Sequence, residues 1–278
     1  MSRSVKATAD SVKSKKERGV NTKAVTELIP SRARPPGLNG QDGQKGESGQ
    51  SHLSRLDDET GQIEVRYKEV QVSEGSKAVV RSNDMADPAA IKPDTIKLVV
   101  LSHPHPLHGG TMNNKVVTTL ERAFQTLGYI TVAYNFRGVG QSSGVHDHGV
   151  GELEDLLQVV EWAKARFKST HLTLAGFSFG SYVLLRAYKL FNESLAVDAL
   201  CTVAPPVGLY DFSAMHPLQA PWVLVQGGQD EVVPAVEIAH WALSGEVQPD
   251  IYWRADASHF FHGELIWLRS VIRLAYSH

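Results

Sequence analysis

Leu172-Thr173-Leu174-Ala175-Gly176-Phe177-Ser178-Phe179-Gly180-Ser181 is the stretch on which the reading of this chain turns. Its first four residues form a short, mostly apolar run of the kind found in a strand covered on both faces. From Ser181 to Phe191 the apolar residues recur at helical spacing. Between strand and helix stand Gly176 and Gly180, which suit a turn so tight that neighbouring side chains would collide. Such a turn holds Ser178 above the sheet at a helix amino end, where partial positive charge favours a developing anion. A G-x-S-x-G motif in this strand–turn–helix setting presents a nucleophilic serine, and Ser178 is the candidate.

Outward from that turn the chain alternates strands and helices. Ile96–Leu101, Ile130–Tyr134, Ala199–Val203, Trp222–Val225 and Ile251–Arg254 read as short strands. Helices are expected at Val116–Leu127, Leu153–Phe167, Val236–Leu243 and Glu264–Ala275, with Gly128 stopping the first. Uniformly apolar strands separated by helices predict an α/β protein, a mostly parallel central sheet with helices on both faces. Upstream, Ile63, Val65 and Tyr67, then Val70 and Val72, suggest edge strands.

A serine hydroxyl is unreactive alone and needs a base, which needs an orienting acid. Asp230 follows the strand Trp222–Val225 through Gln226–Gln229, and His259 follows Ile251–Arg254 through Ala255–Ser258. Both fall past strand ends, where open parallel sheets bind their ligands, and in the order serine, acid, histidine. Glu231 and Asp211 are rival acids, and His262 is a rival base set back by its position at the start of the last helix. An oxyanion hole is expected from the backbone N–H of Phe179 and that of His105. His105 is chosen because Pro104 and Pro106, its neighbours in Ser102-His103-Pro104-His105-Pro106-Leu107-His108-Gly109-Gly110, have no N–H to give.

The same loop admits a second reading. His103, His105 and His108 resemble the H-x-H-x-D-H box of metal-dependent hydrolases, with His146 and His148 as further donors, but Leu107 stands where that box has its aspartate. The expectation is that no metal and no cofactor is used. Asn135-Phe136-Arg137-Gly138-Val139-Gly140-Gln141-Ser142 lacks the spacing and the lysine of a phosphate loop. It reads as a structural turn in which Arg137 anchors neighbouring loops.

Composition bounds the remaining classes. The chain has 278 residues, 42% of them hydrophobic, enough for one substantial core. The single cysteine, Cys201, lies in an apolar run and fits a buried, inert thiol in a reducing compartment, so the cytoplasm is the expected location. No run of about 18 apolar residues is present, so no membrane span is expected. Residues 1–36 hold nine Lys/Arg and three Asp/Glu, leaving 19 basic and 27 acidic residues for the rest. A body that acidic is a poor nucleic-acid partner, and the expected partner is a small acyl substrate. Residues 1–61 are expected to be a disordered polar tail, with the folded domain at 62–278.

The loop His103–Met112, Asn135–Gly140, Gly176–Gly180, Gly227–Glu231 and Ser258–Gly263 together resemble the α/β-hydrolase superfamily. The likeness is to a compact bacterial group of predicted hydrolases, similar also to the dienelactone-hydrolase branch, and it runs from about residue 96 to the end of the chain. It implies an α/β-hydrolase sheet and hydrolysis of an ester or similar acyl bond. Catalysis through Ser178, His259 and Asp230 is the expectation, and a catalytically silent interaction module is its alternative. The segment Pro206–Pro221 is too short for a large cap, so the resemblance implies only a minimal lid.

Overall fold

The computed structural model describes residues 23–31, 61–69, 95–216 and 218–277. Eight strands form one sheet: β1 (Val25–Ser31), β2 (Gly61–Lys68), β3 (Lys97–Ser102), β4 (Ile130–Tyr134), β5 (His171–Phe177), β6 (Ala199–Val203), β7 (Trp222–Gly227) and β8 (Asp250–Arg254). Their spatial order is β1-β2-β4-β3-β5-β6-β7-β8. β1 pairs antiparallel with β2 and β2 with β4, while every other pairing is parallel. The α/β architecture expected from the strand–helix alternation is the one observed.

Five helices cover the sheet: α1 (Lys115–Thr126), α2 (Gly151–Phe167), α3 (Phe179–Leu195), α4 (Ala235–Leu243) and α5 (Leu265–Ala275). The strands feed two cores with a period of two. Leu98 and Val100 of β3 face the layer of α2, α3 and α4, and Val99 and Leu101 face that of α1 and α5. Burial on both faces is why these strands lack a polar phase. α1 opens on Asn114, whose side chain accepts the Val116 N–H at 2.8 Å. The chain leaves that helix through Gly128 at φ 83°, a left-handed position that favours glycine. α3 starts at Phe179 rather than Ser181, because Gly180 is tolerated in a first turn that needs close backbone approach.

One sequence expectation is corrected. Val25–Ser31 lies within the stretch assigned to a polar tail, yet it forms β1, in register with β2 from Val25 opposite Tyr67 to Ser31 opposite Gly61. Its anchor is Ile29, 2% exposed and opposite Ile63 at 1%. Gly61, the last residue of that stretch, opens β2; residues 1–22 and 32–60 of the expected tail, and Val70 and Val72, lie outside the described residues. No described helix is long and apolar enough to cross a membrane. Truncating Ile29 removes the one fully buried side chain of β1. Ile29→Ala should therefore cost about 2–5 kcal/mol in urea unfolding, and a loss under about 0.5 kcal/mol would show that β1 adds nothing to the core.

Candidate active site

Ser178 occupies the single residue between β5 and α3 and has φ 51°, in the left-handed region. Such a conformation stores about 1–3 kcal/mol of strain and persists where its surroundings over-determine it. The Ser178 N–H donates to the Val203 carbonyl at 2.9 Å, and the Ser178 carbonyl accepts from Ser181 N–H at 2.8 Å. The Ser181 hydroxyl ties back to the Gly176 carbonyl at 2.8 Å. A Cβ at Gly176 would lie 2.6 Å from the Gly180 carbonyl carbon, and one at Gly180 would lie 2.3 Å from the Ser102 carbonyl oxygen. Both glycines are therefore required by backbone approach.

His259 reaches this turn from the loop after β8 and is only 2% exposed. Its Nε2 lies 3.0 Å from Ser178 Oγ and its Nδ1 2.8 Å from Asp230 Oδ2. With Asp230 ionised, the proton sits on Nδ1 and Nε2 accepts from the serine hydroxyl. Burial pushes the Asp230 carboxyl up, but the His259 ring, the Val233 N–H and Gln226 together outweigh it and hold the carboxyl below its ordinary value. Asp230 Oδ1 accepts from Val232 and Val233 N–H, both at 2.9 Å, and Oδ2 also accepts from Gln226 Nε2 at 3.0 Å.

The rivals fall elsewhere. Asp211 is fully exposed and spends Oδ1 on the Ser213 N–H and hydroxyl, which lower its carboxyl pKa. Glu231 meets His259, but at the backbone: its Oε2 accepts the His259 N–H at 2.9 Å. His262 is exposed in the turn ahead of α5, not in the helix, with its ring 5.8 Å from that of Phe260.

The loop after β3 supplies the opposite wall. His103 is fully buried, with Nδ1 2.6 Å from the Pro104 carbonyl and Nε2 accepting the Phe136 N–H at 3.0 Å. Both of its nitrogens are spoken for within the chain, and burial lowers its pKa to about 4. His105 opens a 3-10 turn over Pro106–His108, its Nδ1 accepting the Leu107 N–H at 3.2 Å. Burial, then the like charges that would develop on His146 and His108, lower its pKa to about 4. Gly110 closes this loop so tightly that a Cβ would sit 2.1 Å from the Pro104 carbonyl oxygen. Among the described residues, no three His, Cys, Asp or Glu side chains converge as metal ligands do.

Arg137 grips Asp155 through Nε and Nη2, the latter at 2.8 Å, and reaches Glu154 at 3.2 Å. A Cβ on Gly151 would fall 1.8 Å from that guanidinium, so Arg137 packs flat on the start of α2. The Asn135–Ser142 loop is thus a structural clamp, as expected. Cys201 is fully buried, and burial pushes its thiol up to about 12.

Ser178, Phe179, His105 and His259 all line one cavity of about 490 Å³. Its remaining walls are largely apolar: Pro206, Leu209 and Tyr210 from the β6–β7 loop, Val232 beside Asp230, and Phe260 beside His259. These wall residues carry no periodic signal in sequence; only the proximity of Val232 and Phe260 to the acid and the base could have marked them. Between β6 and β7 the described chain contains no helix.

Residues 107–218 match the α/β hydrolase fold family. A solved α/β serine hydrolase homologue from Coxiella burnetii is 36% identical, with a TM-score of 0.65, and the match covers 84% of this chain and 100% of that one. A serine hydrolase from Xanthomonas campestris, described as lacking a lid, is also 36% identical, with a TM-score of 0.63 over 77% of this chain and 88% of its own. An uncharacterised protein of Rickettsia prowazekii is 35% identical over 145 residues, which amount to 51% of this chain and 60% of that relative, less than two thirds of its length. The chain belongs to the α/β-hydrolase family, and its fold is that of the α/β serine hydrolases.

The buried neutral His103 links the site to solution pH. Its folded pKa of about 4 lies below the ordinary 6.5, so the unfolded chain binds the extra proton first as pH falls. Stability is therefore lost as pH drops from 6.5 toward 4, by at most roughly 3 kcal/mol from this group. Urea midpoints measured across that window should fall in the wild type, and less in His103→Asn, which cannot titrate. Equal slopes for the two would show that His103 does not carry the effect.

Proposed function

We propose that this chain hydrolyses a carboxylic ester or similar acyl bond, such as a thioester, with Ser178 as nucleophile, His259 as base and Asp230 as the orienting acid. The observation that carries the reading is the continuous hydrogen-bonded line from Asp230 Oδ2 through His259 to Ser178 Oγ, at 2.8 and 3.0 Å. A serine so placed can give its proton to Nε2 as Oγ attacks the carbonyl carbon, and Asp230 stabilises the imidazolium that forms. The carbonyl oxygen becomes an oxyanion facing the Phe179 N–H at the open amino end of α3 and the His105 N–H. Collapse expels the leaving group with a proton from His259. Water then attacks the acyl-enzyme, with His259 again as base.

The family's serine hydrolase members and the apolar walls Leu209, Val232 and Phe260 support an acyl substrate with hydrocarbon character. A metal-dependent route through His103, His105 and His108 has little support. It would need His103 to release a nitrogen that now accepts the Phe136 N–H.

Turnover of short- and medium-chain aryl esters, with fluorophosphonate labelling of Ser178, tests the assignment. Ser178→Ala should lose both. His259→Ala should cost on the order of a million-fold in kcat, and Asp230→Asn about ten-thousand-fold, with His262 and Asp211 variants within about tenfold. A His262 variant as dead as Ser178→Ala would move the base to that loop, and zinc at one equivalent with loss of activity in EDTA would revive the metal route.

A further inference from the structure

We propose that Glu231 is a positioning residue for the base, holding the backbone of His259 while Asp230 holds its ring; the inference rests on the serine-hydrolase reading above. Two consecutive carboxylates of one loop thereby grip both ends of a single histidine. Asp230 Oδ2 takes the Nδ1 proton at 2.8 Å, and Glu231 Oε2 takes the main-chain N–H at 2.9 Å.

The loops that carry the acid and the base are built as one unit. Gly228 N–H donates to the Arg254 carbonyl at 2.8 Å and Gln229 N–H to the Ala257 carbonyl at 3.0 Å. A Cβ on Gly227 would lie 2.4 Å from the Ala257 carbonyl oxygen, and one on Gly228 2.6 Å from that of Ala255. Those backbone ties stop at Ala257. Beyond it the chain enters a tight turn, closed by Phe261 N–H donating to the Ser258 carbonyl at 3.1 Å, in which Phe261 takes φ 53°. A non-glycine residue there is strained and needs its surroundings to hold it. From inside, the turn is held by the fully buried Phe261 ring, stacked on Trp267. From the side of the acid loop, the side-chain tie to its backbone is Glu231.

The energetics favour a specific role over incidental contact. His259 is 2% exposed, while Glu231 reaches its N–H from the exposed acid loop; loss of the carboxylate leaves that N–H to water or without an acceptor, at a cost of up to about 1–3 kcal/mol. Losing the bond lets the strained turn relax toward water, and the imidazole moves with it. A displacement of about 1 Å at a reacting group costs on the order of a hundred-fold in rate. Glu231 itself is not among the residues that line the cavity, so the first effect of its loss falls on the base and not on the apolar wall.

The experiment compares Glu231→Ala and Glu231→Gln in the full chain by kcat and KM on an aryl ester and by the labelling rate of Ser178 with a fluorophosphonate. Thermal melts and Ser178→Ala run in parallel. Glu231→Ala should lower kcat and the labelling rate together by about 10- to 100-fold, with KM changed less than about twofold. Glu231→Gln keeps a carbonyl acceptor for the same N–H and should recover to within about threefold of wild type. A Glu231→Ala enzyme with normal kcat and labelling overturns the assignment, as does a loss that appears only in KM. Equal damage in both variants also overturns it, because it would attribute the effect to charge instead of the hydrogen bond. If the wild type itself neither labels nor turns over beside Ser178→Ala, the hydrolase reading fails, and the positioning role fails with it.

Discussion

A side chain on Gly180 would drive its Cβ to 2.3 Å from the Ser102 carbonyl oxygen and 2.8 Å from that of His103. The first turn of α3 therefore rests on bare backbone at the end of β3, and much of the site follows from that approach. It forces the chain to turn within one residue, which puts Ser178 in the left-handed region and its side chain at the cavity, within hydrogen-bond reach of His259. It sets the amino end of α3 beside the loop that follows β3, so Phe179 and His105 come to line one cavity. The register of β3 and β5 agrees, with Ser102 directly opposite Gly176. His103 then ties this edge to β4 by accepting the Phe136 N–H. One close backbone contact thus gathers the nucleophile, a helix amino end and a donor loop.

What was legible in sequence was whatever depends on short-range pattern or on topology. The apolar run into Gly176–Gly180 announces its strand, turn and helix because each local requirement falls within ten residues. Asp230 and His259 could be found because parallel strands deliver their following loops to one edge, whatever the details. β1 escaped for the opposite reason. It is an edge strand whose pairing with β2 is made by backbone groups that any sequence carries. Of its seven residues only Ile29 is buried, and the strand sits between basic, polar stretches of the chain. Composition averaged over such a stretch reads as tail, and one anchoring isoleucine does not reverse the average.

The orientation of neighbouring side chains was equally out of reach. Asp230 and Glu231 are chemically alike and adjacent, and on a turn their side chains diverge; only the fold shows that one meets the ring of His259 and the other its backbone. The cavity wall is a further case. Tyr210 stacks on Tyr182 with ring centroids 4.5 Å apart, a contact between a loop and a helix well separated in sequence. No periodicity records such a pairing, although it sets Tyr210 into the cavity wall.

Two histidines of the loop after β3, His103 and His105, are held against protonation. His105 lies 4.6 Å from the ring of His108 and 4.7 Å from that of His146, ring centre to ring centre. Burial first, and then the repulsion a second positive charge would meet, keep its pKa near 4. His103 is held near 4 mainly by burial, and protonating it would also break the bond from Phe136. Neither His103 nor His105 is therefore a source of positive charge in the cleft at neutral pH. In the mechanism proposed above, stabilisation of the oxyanion rests on fixed dipoles: the amides of Phe179 and His105 and the amino end of α3. Dipoles set in place by the backbone need no reorganisation when charge appears, and the prolines flanking His105 hold its amide in position before substrate arrives. His103 and His105 thus serve as packing and hydrogen-bond partners within the loop after β3, while on the proposed reading the proton transfers belong to His259, whose Nδ1 meets Asp230 and whose Nε2 meets Ser178.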